Sequence, residues 1–122
     1  MDDALRDAVA LFNGGRFTEF QDALEKVAGT TRAPSERQFY TSLSRLAEAL
    51  HQLSVGDLED AEALLGPALR KLDEFVPRFR GLNTEAVRED FRRVVTELRE
   101  VRAGRKAEME VARLPRLRFL PE

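Results

Sequence analysis

Cysteine is absent from this 122-residue sequence, and histidine occurs only once, at position 51. Without thiols the chain can form no disulfide and no thiolate metal site, and it has no cysteine nucleophile. A lone histidine without a recognisable serine or cysteine partner does not indicate a catalytic triad. No apolar run approaches the ~18 residues of a membrane span, and no segment resembles a signal peptide. We therefore expect a soluble, cytoplasmic protein that has no membrane segment.

Charged residues are frequent but unevenly distributed. Residues 1–77 hold 8 Lys/Arg and 14 Asp/Glu, a balance of −6, whereas residues 78–122 hold 12 and 8, a balance of +4. The two halves are therefore expected to attract each other, within one molecule or between two. The apolar fraction, 43% of the chain, is enough for one modest hydrophobic core.

Apolar residues recur every three or four positions in five segments, which is the spacing of one helix face. No segment shows the alternation that is typical of a strand. We predict an all-α fold of about five helices in antiparallel hairpins, forming a compact bundle over residues 1–104. The stripes are Leu5, Val9 and Phe12; Phe17, Phe20, Leu24 and Val27; Phe39, Leu43, Leu46, Leu50 and Leu53; Leu58, Ala61, Leu65, Ala68, Leu69 and Leu72; and Val87, Phe91, Val94, Leu98 and Val101.

Turn and capping residues separate these segments. Ser35, which follows a proline, is predicted to cap the third helix, and Asp57 the fourth. Asn83 or Thr84 is predicted to cap the fifth helix. Pro67 falls inside the fourth stripe, where proline costs ~3 kcal/mol, so we expect a kink or a break there.

Residues 105–122 are predicted to form a C-terminal tail that is extended or partly helical, because prolines disfavour a regular helix. A disordered end has little reason to carry large apolar side chains, so we expect the tail to dock. It either folds back on its own domain or crosses to a second subunit, and the hypothesis from the sequence is the dimer. The four apolar residues of this interaction tail are Leu114, Leu117, Phe119 and Leu120.

Three carboxylates recur every three residues on the second helix, at Glu19, Asp22 and Glu25. With His51 they form the candidate pocket, because carboxylate oxygens could bind a hard cation such as Mg²⁺ or Ca²⁺. A Glu-x-x-His pair, which is typical of carboxylate-bridged di-metal sites in bundles, is missing. The favoured interpretation is a solvated helix face with no metal, no cofactor and no catalytic residue, and His51 as a capping or packing residue.

Several short motifs resemble the domain of unknown function 309 family, a group of small all-helical prokaryotic proteins. The resemblance covers roughly residues 8–100. It implies a compact helical fold and no established activity. The chain departs from the family pattern at Gln21-Asp22, where the family has His-Glu, and at Thr41-Ser42, where it has Gln-Gly. The matching motifs are Phe12-Asn13-Gly14-Gly15-Arg16-Phe17, Glu19, Leu24-Glu25, Ala47-Glu48-Ala49-Leu50-His51-Gln52, Gly56-Asp57 and Leu64-Leu65.

The resemblance also makes Glu19 the carboxylate that we expect to be partly buried and hydrogen-bonded. On that basis Glu19→Ala is predicted to lower stability more than Asp22→Ala, since a group lost from an internal network costs ~1–3 kcal/mol.

Three functions follow from these patterns. The first is a non-catalytic helical domain that acts through protein contacts or self-association, with a homo-oligomer or another protein as partner. The alternative is a metal-dependent or hydrolase-like enzyme centred on Glu19, Asp22 and His51. The second alternative is nucleic-acid binding by the basic C-terminal third, which the interspersed acids and scarce aromatics disfavour. No phosphate loop, dinucleotide fingerprint or zinc spacing is present.

Overall fold

The computed structural model describes residues 3–110 and 114–121, and within them the prediction of an all-α fold is confirmed. Residues 111–113 and 122 of the predicted tail lie outside the described residues. Each helix packs against the next along the chain, and no helix in the described ranges is long and apolar enough to cross a membrane. The helices are α1 (Asp3–Asn13), α2 (Phe17–Gly29), α3 (Pro34–Ser54), α4 (Leu58–Leu72) and α5 (Thr84–Arg102), with a 3-10 turn at Asp73–Phe75.

The predicted apolar stripes meet in one hydrophobic core. Phe12, near the end of α1, belongs to this core, and its ring centroid lies 5.4 Å from that of Phe17, 5.1 Å from that of Phe20 and 6.4 Å from that of Phe91. Because Phe91 belongs to α5, this contact brings the first and last helices together. The bundle is therefore closed by aromatic packing as well as by contacts between neighbouring helices.

A second aromatic cluster fixes the loop between α4 and α5. The buried ring of Phe39 on α3 lies 5.2 Å from the ring of Phe75 and 4.6 Å from that of Phe79. Thr84, the first residue of α5, is also buried, and its hydroxyl donates a 2.6 Å hydrogen bond to the Phe75 carbonyl. The loop is thus held at both ends before α5 begins.

Two of the predicted helix caps are present and one is wrong. The Asp57 carboxylate accepts a hydrogen bond from the Asp60 amide at 3.1 Å, and the Asn83 side chain accepts one from the Ala86 amide at 3.1 Å. Ser35 does not cap α3, which begins one residue earlier, at Pro34. The fixed φ of proline suits the first helical position and its missing N–H needs no partner there, so Ser35 falls inside the first turn.

Of the predicted kink or break at Pro67, the break does not occur, because α4 continues through this residue from Leu58 to Leu72. Proline removes the hydrogen bond that would run to the carbonyl of Ala63. Both Pro67 and Ala63 are exposed, so water can satisfy the freed carbonyl. Burial of the opposite face, including Leu65 and Ala68, holds the helix together across the lost bond.

Ser35 and Asp57 give a matched test of how α3 and α4 begin. We expect Asp57→Ala to lower the free energy of unfolding by ~1 kcal/mol. The Asp60 amide has no acceptor within the first turn of the helix, so it would lose its hydrogen bond to the Asp57 side chain. Ser35→Ala should change it by less than ~0.5 kcal/mol, since Ser35 is exposed and caps nothing. Urea unfolding of both variants checks this, and equal effects would contradict the assignment.

The described part of the tail folds back on its own domain, one of the two arrangements that the sequence left open. Leu117 is only 2% exposed and belongs to the core. The Asn83 amide donates to the Arg118 carbonyl at 2.8 Å, and Leu82 forms an isolated antiparallel bridge with Phe119. The tail's apolar side chains are buried or half-buried, so the exposed segment that suggested a tail-mediated dimer is covered.

Asn13 clamps the tail from the other end of the chain. Its side-chain amide donates to the Leu117 carbonyl at 2.9 Å, and its side-chain oxygen accepts from the Leu117 amide at 2.8 Å. One side chain thereby satisfies both backbone groups of a buried residue. The sequence suggested only that Asn13 helps to end α1, because nothing local to it indicates a partner 104 positions away.

Candidate functional site

A groove of about 380 Å³ lies between α2 and α3 and contains two of the predicted site residues, Asp22 and Glu25. Tyr40 and Leu24, both buried, lie at its base. We call it the α2–α3 groove. It is lined by Gln21, Asp22, Leu24, Glu25, Ala28, Tyr40, Thr41, Ser44, Arg45 and Glu48.

Gln21 joins the two helices at this groove. Its side-chain amide donates to the Ser44 carbonyl at 3.1 Å and to the Ser44 hydroxyl at 3.2 Å. This is the position at which the domain of unknown function 309 pattern has histidine. In this chain the residue acts as a cross-link between helices, because its amide donates to Ser44 of α3.

The carboxylates of Asp22, Glu25 and Glu48 give the α2–α3 groove its acidic character. None of the three forms a hydrogen bond or an ion pair through its side chain with the residues described. Arg45 is the single basic residue among the described residues of the lining. The described lining of the groove therefore has a net formal charge of −2, and its carboxylates are accessible to an external cation.

Glu19 lies on a different part of α2 and is not partly buried, contrary to the prediction. Its side chain is 52% exposed and forms a two-point ion pair with Arg16, at 2.8 Å to Nε and 2.5 Å to the terminal nitrogen. Such exposed pairs contribute ~0–1 kcal/mol, so the predicted excess cost of Glu19→Ala over Asp22→Ala has lost its basis.

His51 is exposed in the last turn of α3, where a charged imidazole would favour the negative end of the helix dipole. Neither His51 nor Glu19 lines any of the three cavities described here, so the structure does not bring the four candidate residues into one pocket. Over residues 3–110 and 114–121, no group of three His, Asp or Glu side chains is placed to hold a metal ion.

A groove of opposite charge lies on the other side of α3, between α3 and α4. We call it the α3–α4 groove; its volume is about 360 Å³. Three cations, Arg37, Arg45 and Lys71, contribute to it, and over residues 3–110 and 114–121 no carboxylate lines it. It is lined by Arg37, Gln38, Thr41, Ser42, Arg45, Pro67, Ala68 and Lys71.

Thr41 and Arg45 line both grooves and are exposed, so they form a ridge along α3 that we call the α3 ridge. On one side of this ridge the lining is acidic and on the other it is basic. The sequence contains a signal for the ridge, two polar residues four apart on a helix. It does not indicate which charged residues of α2 and α4 are placed beside them.

The predicted attraction between acidic and basic halves occurs within the molecule. Glu62 on α4 contacts Arg102 at 2.9 Å and Arg99 at 3.7 Å on α5. At the other end of α5, Asp73 contacts Arg88 at 3.3 Å and Arg92 at 3.6 Å. Much of the basic charge of α5 is thereby paired with acids and is less available to a phosphate backbone.

A cavity of about 430 Å³ lies between the end of α3, the middle of α5 and the chain that follows α5. We call it the α3–α5 cavity. Its apolar wall is Leu50, Leu53, Val94, Met109 and Leu114, and its polar rim is Ser54, Asp90, Arg93, Glu97, Glu110 and Arg118.

Ion pairs order the chain that leaves α5 along this cavity. Lys106 donates to Glu97 at 3.0 Å and to Glu110 at 3.3 Å, and the first of these bonds is the main reason that the pKa of Lys106 is raised. The side chain of Arg105 donates to Glu100 at 2.7 Å, which lowers the pKa of that carboxyl group. These contacts commit most charges around the rim to partners within the chain.

The chain matches no family model, no curated protein and no solved structure. Membership of the domain of unknown function 309 family therefore stays a prediction from the motifs.

Proposed function

We propose that this protein is a non-catalytic interaction domain that self-associates through the α3 ridge. The observation that carries the proposal is the pair of oppositely charged grooves on either side of the ridge. A surface that holds both signs side by side is complementary to a rotated copy of itself, which is what a two-fold interface requires. The open carboxylates of the α2–α3 groove supply the acidic partner, and the α3–α4 groove supplies the basic one.

Charge selects one arrangement of the two copies. Rotation about an axis parallel to α3 lays α2 of one copy over α4 of the other, so each acidic groove faces a basic groove. Rotation about the perpendicular axis in the same plane lays α2 over α2 and places like charges opposite each other, which is repulsive. The proposed dimer therefore has its two α3 helices parallel, with the ridges along the two-fold axis. This brings the two Arg45 side chains near each other, a repulsion that the pairs between facing grooves have to outweigh.

This interface is polar, because the ridge itself consists of Thr41 and Arg45 and large apolar side chains nearby are buried. Exposed ion pairs contribute only ~0.2–1 kcal/mol each. Association of this kind is weak and falls with ionic strength, because salt screens exposed charges beyond ~10 Å at 0.1 M. Low salt and high protein concentration are the conditions under which it is to be measured.

A pair of charge-reversed variants tests the proposal. Asp22→Arg with Glu25→Arg makes both grooves basic, and Arg37→Glu with Lys71→Glu makes both acidic. Each variant alone should raise the dissociation constant at least about tenfold, because the grooves that face each other then carry net charge of the same sign. An equimolar mixture should recover association, since a basic groove then faces an acidic one on both sides. Sedimentation velocity measures all three samples.

The control carries the same charge change away from the ridge, at the exposed acids Glu85→Arg and Glu89→Arg on α5, and should associate like the wild type. Because the chain has no cysteine, Thr41→Cys also allows a clean cross-link, which should form disulfide dimers faster than Val55→Cys, a 62% exposed position far from the ridge. A wild type that stays monomeric at low salt would contradict self-association. If all variants associated as strongly as the wild type, the α3 ridge would not be the interface.

A further inference from the structure

The α3–α5 cavity, whose volume is about 430 Å³, lies at the end of α3 beyond the ridge. Native interiors contain few voids larger than a water molecule, whereas ligand sites commonly measure ~300–1,000 Å³. We infer that this cavity binds a medium-chain carboxylate, an amphiphile with a flexible apolar chain and one anionic head. This inference is independent of self-association, because the two features share no lining residue.

The apolar chain of the ligand has a continuous surface to contact. Leu50 and Val94, both buried, form the floor between α3 and α5. Leu53, Met109 and Leu114 are only half-buried and surround the opening. A flexible methionine beside leucines adapts to an unbranched chain, and covering these three side chains would remove apolar area from water.

The charge of the ligand's head group is inferred from the charged residues of the rim and from the partners that they already have. Asp90 is paired with Arg93. Glu97 accepts hydrogen bonds from the Lys106 ammonium at 3.0 Å and from the Glu110 amide at 2.6 Å. The rim acids are thus already compensated by cations and donors of the same chain, so they present no open site for a cationic head.

Among the rim residues that the structure describes, Arg118 is the charge that remains. Its guanidinium is exposed and forms no ion pair or side-chain hydrogen bond with the described residues, while its carbonyl is held by the Asn83 amide at 2.8 Å. The backbone is therefore fixed and the side chain is unpaired at the mouth of an apolar cavity. A guanidinium matches a carboxylate with two parallel hydrogen bonds, which is the reason for assigning a carboxylate head.

The test measures binding of decanoate and decanol to the full chain by isothermal titration calorimetry, below the concentration at which decanoate forms micelles. Decanoate should bind with one site and about tenfold more tightly than decanol, because a hydrogen bond to a charged group adds to the same apolar contact. Arg118→Gln should reduce decanoate affinity to that of decanol and leave decanol unchanged. Arg116→Gln, a neighbouring exposed arginine outside the cavity, is the matched control and should change neither.

A second variant, Leu53→Trp, tests the apolar wall without touching a charge, and it should weaken decanoate and decanol alike by filling the cavity. Circular dichroism spectra like that of the wild type identify the variants that remain folded. Absence of saturable decanoate binding to the wild type would overturn the inference. So would equal losses from Arg118→Gln and Arg116→Gln, because the head group would then be held only by general positive charge.

Discussion

Leu117→Ala is expected to lower the free energy of unfolding by ~2–5 kcal/mol, because it leaves a cavity in a core position that is only 2% exposed. If the tail were not docked, the substitution would leave the free energy of unfolding almost unchanged. The structure instead places the Leu117 side chain in the core and both of its backbone groups on Asn13. Denaturant unfolding followed by circular dichroism measures the effect directly.

Two controls separate burial from other properties of the tail. Arg116→Ala, on the exposed residue beside Leu117, should change the free energy of unfolding by less than ~0.5 kcal/mol. Asn13→Ala should cost ~1–3 kcal/mol, because the Leu117 backbone loses both of its partners in a largely buried place. Light scattering on Leu117→Ala measures the oligomeric state, and therefore shows whether stability is lost within one molecule. A change of oligomeric state without a loss of stability would contradict the intramolecular docking.

Phe39→Ala is expected to cost ~3–5 kcal/mol, the range for a fully buried aromatic residue. The ring lies against Phe75 and Phe79, so its removal also releases the loop that receives the tail. We therefore expect faster hydrogen exchange at the Asn83 and Leu120 amides, which bond across this junction. Nuclear magnetic resonance at single amides provides the measurement.

Phe39→Leu keeps most of the apolar volume and removes only the ring contacts, which contribute ~0.5–1.5 kcal/mol per pair. It should therefore fall between the wild type and Phe39→Ala in both stability and amide exchange. Gln38→Ala, an exposed neighbour on α3, serves as the control for helix propensity. Unchanged exchange at Asn83 in Phe39→Ala would show that the loop does not depend on the aromatic cluster.

The helices could be predicted from the sequence because their information is local. Spacings of three and four place Phe17, Phe20 and Leu24 on one side of α2 whatever that side contacts, and they are buried as the pattern indicates. The cap at Ser35 and a break at Pro67 are absent because tertiary packing or the chemistry of a neighbour overrode a residue's own preference. Pro34 displaced the cap from Ser35, and burial carried α4 through Pro67.

The surface features could not be predicted because they combine residues from different helices. Arg45 is an ordinary exposed arginine until α2 and α4 place unlike charges on either side of it. Glu19 is predicted from a family pattern to be partly buried, but it lies on the exposed side of α2, where it pairs with Arg16. No periodicity in the sequence predicts the contact between Asn13 and Leu117, since it joins residues near the two ends of the chain.

That contact also determines an order of events. The helices pack against their neighbours in sequence, and local contacts of this kind form early and fast. The bond from Asn13 to Leu117 spans 104 positions, and closing so long a loop in an unfolded chain is entropically unfavourable. Once the helices have assembled, most of that entropy has already been lost, so the tail adds to a surface that is already formed. We therefore expect the tail to dock last in refolding and to open first under native conditions, at a free energy below that of global unfolding.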